Sequence, residues 1–270
     1  MGEANVDQQR LAFGQVAELY ESARPSYPAV VVDELIRRAS LEPGSRVLEV
    51  GAGTGKLTRL LAGRGLAVHA LEPDGAMADI AQLACSRHPL VDVEQTGFES
   101  WEPRERADAL VSAQAWHWID PRVRYARAGR ALGGGGTLVA IWTHADWSRT
   151  VLRDELRSVY RETAPGFAPG FAMHPSTEGE DVAGEWHADI EMSDDFVSAD
   201  VVEHAWALAY SSAEYVQLIQ THQDHILLDP ASKRSLLAAI SRAIDAAGGS
   251  IRVEYVTRLC LARRADLTGT

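Results

Sequence analysis

The residues best suited to chemistry in this 270-residue chain fall in one run, Glu49-Val50-Gly51-Ala52-Gly53-Thr54-Gly55-Lys56, where an apolar stretch gives way to alternating glycines and then to a helical pattern. Glycines in such a turn let a ligand lie against bare backbone. The spacing excludes two familiar loops. A dinucleotide fingerprint, GxGxxG, requires glycine where Lys56 stands. A phosphate-binding loop requires glycine where Val50 stands, and Ser or Thr where Leu57 stands. Glu49 lies in apolar surroundings, so it either contacts a ligand or braces the loop, because buried charges are kept only when partnered. Glu72 closes the next apolar run, and His117 follows a later one. In an open α/β sheet both would stand at the carboxyl edge, where ligands bind. His117 is the candidate general base, with backbone hydrogen bonding between Trp116 and Trp118 as the alternative. His222 and His225 have the spacing of two helical metal ligands, but no HExxH pattern accompanies them. They are expected to pack or face solvent, and no metal is expected.

The elements that must hold these groups are legible from periodicity. Short apolar or β-branched runs at 46–50, 67–71, 91–95, 109–113 and 137–142 read as strands, with helical patterns between them. Leu57, Leu60 and Leu61 give one helix an apolar face; Met77, Ile80, Ala81 and Ala84 give the next. Pro121 starts a helix that ends before a four-glycine turn at 133–136. Alternation of this kind predicts a doubly wound, mostly parallel sheet covered on both faces. Further on, 200–208 and 251–262 read as strands, and 213–221 and 230–246 as helices, the last stopped by Gly248 and Gly249.

The glycine run fits the pattern ExGxGxG, and here the sequence resembles class I S-adenosylmethionine-dependent methyltransferases. The resemblance implies a Rossmann-like seven-stranded α/β sheet with an antiparallel last strand. It implies S-adenosylmethionine as cofactor and S-adenosylhomocysteine as product. By position, Glu49, Gly51, Ala52, Gly53 and Gly55 would wrap the methionine part, Glu72 would take the ribose hydroxyls with Pro73 and Met77 beside it, and Phe98 and Glu99 would meet the adenine. Gly97 stands where many members carry an acid for the adenine amino group. The stretches 20–28 and 112–118 are similar to the small-molecule branch that includes trans-aconitate methyltransferase-like proteins. That similarity implies Tyr20 and Arg24 on a lid over the cofactor and Gln114 beside its amino-acid end. Tyr27, Trp116, Trp118 and Trp142 are the expected acceptor contacts.

Composition narrows the partners. The formal charge of −12 disfavours nucleic acid and anionic membrane surfaces, and no apolar run approaches the length of a bilayer span. Cys85 and Cys260 lie far apart with no CxxC spacing, which fits a reducing cytoplasmic setting. Residues 162–232 hold fourteen acidic side chains and no Lys or Arg, so the rest of the chain sums to +2. With Phe167, Phe171, Trp186, Phe196, Trp206, Tyr210 and Tyr215, this stretch reads as a packed acidic cap or as a solvated surface. The expected organisation is an N-terminal lid arm (1–30), a cofactor domain (31–163 and 200–264) and a cap (164–229) overlapping a core strand. A cap overhanging the acceptor would favour a neutral or cationic small molecule of secondary metabolism, methylated on O, N or C. The rival readings are a cofactor-binding regulator, a non-methylating enzyme using the same cofactor, and a nicotinamide oxidoreductase. The chain is expected to act as a monomer or homodimer.

Overall fold

The computed structural model describes residues 16–166 and 182–265. Seven strands make one sheet, β1 (Arg46–Val50), β2 (Ala67–Leu71), β3 (Val91–Glu94), β4 (Ala107–Ala113), β5 (Leu132–Ala145), β6 (Phe196–Ser211) and β7 (Ser250–Arg264), in the order β3-β2-β1-β4-β5-β7-β6. The pairs among β1 to β5 are parallel, and β7 runs antiparallel to both β5 and β6. The sheet is therefore α/β and mostly parallel with an antiparallel last strand, as expected. Strand order reverses between β1 and β4, which makes their carboxyl ends the natural ligand crevice.

Helices α1 (Ala17–Ala23), α2 (Ala29–Arg38), α3 (Lys56–Ala62) and α4 (Gly75–Cys85) precede β3; α5 (Arg124–Ala131) leads into β5. Then come α6 (Arg153–Thr163), α7 (Val182–Glu191), α8 (Ser212–Ile219), the short α9 (Gln223–Ile226) and α10 (Pro230–Ala246). Local chemistry fixes several starts. Asp74 caps α4 by accepting from the Met77 amide, Ser211 and Glu214 form a reciprocal box on α8, and Asp229 caps α10 ahead of Pro230. Gly248 and Gly249, both at positive φ, end α10.

Alternate residues of each strand feed opposite cores. Leu48, Val50, Leu110, Leu138 and Ala140 pack on one face with Trp116, Trp186 and Phe196, while Val47, Val68, Val111, Val139 and Ile141 pack on the other with Val31, Leu35, Leu57 and Leu61. A third core lies where β6 and β7 outrun the parallel strands: Tyr210, Ile251, Val253 and Tyr255 are covered by Leu156 and Tyr160 of α6, Tyr215 and Leu218 of α8, and Leu236 and Ile240 of α10.

Within the acid-rich stretch, β6 belongs to the sheet, Trp186 of α7 enters one core and Tyr215 of α8 another. Its Phe167 and Phe171 lie outside the described residues, as do the first fifteen residues of the arm. Glycines 133–136 are drawn into the start of β5, where the pairing with β4 shifts register, instead of forming a free turn. After Pro121 come further turn residues before α5 begins at Arg124, so proline precedes the helix without starting it.

Candidate active site

The glycine loop is laid across the end of β2: the Gly51 and Ala52 amides donate to the Leu71 carbonyl at 2.9 and 3.1 Å. Gly51 has φ +73°, and a Cβ there would stand 2.3 Å from the Ala115 Cβ, so no larger residue fits without moving the β4 exit loop. Gly53, at φ +58°, is the opposite case, since a Cβ would meet nothing within 4 Å. One glycine is required by protein packing, and the other turns its bare face to open space.

Glu72, 8% exposed, closes the far side. Its Oε2 accepts from the Gly53 amide at 2.8 Å and its Oε1 from the Asp74 amide at 2.9 Å. Pro73 is half-buried beside it, and Met77 is buried with its amide on Asp74. Glu49 sits beneath the loop at 1% exposure, with no hydrogen-bond partner for Oε2. Burial pushes its carboxyl up to about 8, the Thr58 hydroxyl opposes the shift and the Glu72 carboxylate adds to it.

The N-terminal arm ties this loop to the far wing. Lys56 Nζ donates to the Glu21 carbonyl at 2.5 Å, and Arg59 pairs with the Glu21 carboxylate at 2.8 Å. Arg24 Nε donates to Thr221 Oγ1 at 2.7 Å and its Nη2 to the Thr221 carbonyl at 3.1 Å, with the guanidinium 5.1 Å from the Tyr20 ring centroid. Tyr27 is half-buried, and desolvation beside Tyr20 and Glu49 raises its phenol. The arm is thus held to α3 through Glu21 and to the end of α8 through Arg24.

At the end of β4, Gln114 holds φ +59°, an uncommon conformation for a non-glycine residue. Its amide nitrogen donates to the Thr143 carbonyl at 2.8 Å. From there a hydrogen-bonded line crosses the wing: Thr143 and Thr257 hydroxyls meet at 2.8 Å, and the Trp206 indole donates to Thr257 Oγ1 at 2.8 Å. Trp206 stacks on Tyr255 at 4.6 Å, and Tyr255 and Tyr210 share a hydroxyl contact of 3.0 Å. Sequence reasoning missed this line. Its one outward sign is Thr at 143 and at 257, and only the β5–β7 register pairs them.

His117 is open to solvent at one side, and desolvation by the surrounding protein, with His144 and Arg124 nearby, lowers its imidazole to about 4. The Trp142 indole donates to His117 Nδ1 at 3.3 Å, and Trp118 lies 4.9 Å away by ring centroid. Trp116 is a correction. It is 1% exposed, packed among Phe98 and Tyr125, and is a core residue rather than a wall of the crevice. Phe98 is likewise 2% exposed, so only its backbone is available to a ligand, while Glu99 is half-buried with one oxygen 3.4 Å from the Asp120 amide. His225 is fully buried, bonded through Nε2 to the Tyr160 hydroxyl at 2.8 Å and through Nδ1 to Asp224 at 2.7 Å, so it packs and does not face solvent. His222 is buried beside Arg24 with its Nε2 unpartnered, and desolvation lowers it well below the usual imidazole range. Among the described residues no group of three His, Cys, Asp or Glu is arranged to hold a metal, and no helix is long and apolar enough to cross a membrane.

Residues 48–140, which carry the glycine loop and the strand-end carboxylate at the switch point of the sheet, match the family model described as a methyltransferase domain. An uncharacterized methyltransferase of Mycobacterium tuberculosis is 40% identical over 136 residues, covering 50% of this chain and 54% of that protein. Trans-aconitate 2-methyltransferase from the same species is 34% identical over 88 residues, 32% of either chain. The chain therefore spans about half the length, or less, of these curated relatives. A solved structure from Anaeromyxobacter dehalogenans, assigned as a type II methyltransferase, superposes with a TM-score of 0.62 over 89% of this chain and 97% of that one, at 23% identity, and shares the fold. Other solved structures of this fold hold S-adenosylmethionine or S-adenosylhomocysteine.

Proposed function

We propose that this protein transfers the methyl group of S-adenosylmethionine to O, N or C of a neutral or cationic small molecule. The observation that carries the reading is the cradle: an open Gly53 face whose amide is fixed by Glu72, over a buried Glu49 oxygen that lacks a partner. Loop amides, Glu72 and Glu49 would hold the cofactor, with Gln114 near its amino-acid end and Tyr20 and Arg24 over it. When bound, the cofactor supplies an activated methyl carbon. The chain's own part is alignment and exclusion of water.

His117 acts here as a donor. An indole N–H only donates, so Nδ1 accepts from Trp142 and the proton of the neutral ring sits on Nε2. Such a ring orients an acceptor oxygen and leaves its proton in place, which revises the general-base expectation. Tyr27, Trp118 and Trp142 are the proposed acceptor contacts.

The test is a thermal-shift titration with S-adenosylmethionine, S-adenosylhomocysteine and NAD in parallel, repeated on Glu72→Ala and Gly53→Val. Ligand at a hundred times its Kd stabilises by about 2.7 kcal/mol. A response to both sulfur nucleosides that both variants lose supports the reading. A response to NAD alone replaces it with a nicotinamide-dependent one.

A further inference from the structure

Glu49 is a buried carboxylate of the crevice, and none of the ion pairs among the described residues gives it a counter-ion. It stands on the β1 face that carries Val47, directly under α3, and is 1% exposed. Thr58 of α3 lies close enough to oppose the upward shift of its carboxyl, yet neither the Thr58 hydroxyl nor Glu49 Oε2 has a hydrogen-bond partner. The titratable groups that face it from the packed elements are the Glu72 carboxylate after β2, the Tyr27 phenol before α2 and the Cys85 thiol of α4. None of these is a cation. The nearby cations are engaged elsewhere: Lys56 and Arg59 pair with Glu21, and Arg24 with Thr221. An isolated carboxylate cannot remain ionised in such a place.

We propose that Glu49 stands as the neutral acid in the free protein and releases its proton when a cationic ligand group enters beneath the glycine loop, so that cofactor binding is proton-linked. The inference rests on the loop being the cofactor site. On binding, the carboxyl O–H breaks, the proton passes to solvent and the carboxylate pairs with the ligand's ammonium. The direction of the linkage follows. Below the free-state value of about 8 the proton has to leave, so affinity rises with pH and levels off above that point. His117 and His144, lowered to about 4 by desolvation from the protein around them, are already neutral at pH 7 and add no protons of their own.

The experiment is isothermal titration calorimetry of the full chain with S-adenosylhomocysteine, whose ammonium is its single cationic group, in buffers of differing ionisation enthalpy. Release of about 0.9 proton per ligand at pH 7 is expected, falling towards zero by pH 9, with affinity climbing about ninefold from pH 6 to 7 and about fivefold from pH 7 to 8. Methylthioadenosine, which lacks the ammonium, should bind without release, and Glu49→Gln should release none. Binding of S-adenosylhomocysteine without proton release overturns the proposal, as does release unchanged in Glu49→Gln or equal release with methylthioadenosine. Failure of S-adenosylhomocysteine to bind at all removes the cofactor reading beneath it.

Discussion

The half of the sheet around β1 and the wing formed by β5, β7 and β6 differ in what they are built from. Around β1 the strands are four to seven residues long, and the surface is mostly backbone: loop amides, a bare Gly53 face and one carboxylate fixing two amides. In the wing, strands of fourteen to sixteen residues run past the parallel edge and present side chains, the line from Gln114 through Thr143 and Thr257 to Trp206, roofed by α6, α8 and α10. Arg24 and Glu21 couple the two.

The largest effect expected separates fold from site within one tripeptide. Trp116→Ala should cost about 3–5 kcal/mol in a denaturant titration, because it empties a core position, while Trp118→Ala next door should cost under about 1 kcal/mol. Equal costs would break the assignment of Trp116 to the core.

That contrast also marks how far the sequence could be read. The boundaries of β1 and β2 and of α10 emerge from periodicity and caps alone, since each is short or locally punctuated. Glu72 and the glycines are legible because strand, loop and helix adjoin in sequence. Trp116 and Trp118 are not distinguishable that way: two residues apart on one turn, they part only because one faces Phe98 and Tyr125. The packing of the acid-rich stretch is hidden in sequence for a related reason. Charge reports the solvent face, and β6, α7 and α8 each have one while burying their other sides in different cores.

Next in size is Glu49→Gln in the unliganded protein. The folded-state value of the carboxyl is raised to about 8 from an ordinary 4.5, so its ionisation in the unfolded chain erodes stability as pH rises between those values. The glutamine variant should match the wild type near pH 4.5 and exceed it by a few kcal/mol at pH 8 in paired melts. A constant difference across that window would mean that Glu49 is ionised in the free fold.

Glu72→Gln sharpens the backbone side of the comparison. Losing charged acceptance from the Gly53 and Asp74 amides should weaken S-adenosylhomocysteine binding by roughly 1.5–3 kcal/mol, read by calorimetry. The smallest effect belongs to the coupling between the halves. A double-mutant cycle of Arg24→Met and Thr221→Val should give an interaction energy of about 1 kcal/mol in stability, and additivity would sever the arm from the wing.

The central claim is one of location, and amide hydrogen exchange with and without S-adenosylhomocysteine tests it most directly. The account predicts slower exchange on binding in the glycine loop, in the Glu72–Met77 turn and in α1, with the strands beneath α6, α8 and α10 unchanged. Protection confined to β6 and β7, with the glycine loop exchanging as before, would contradict it.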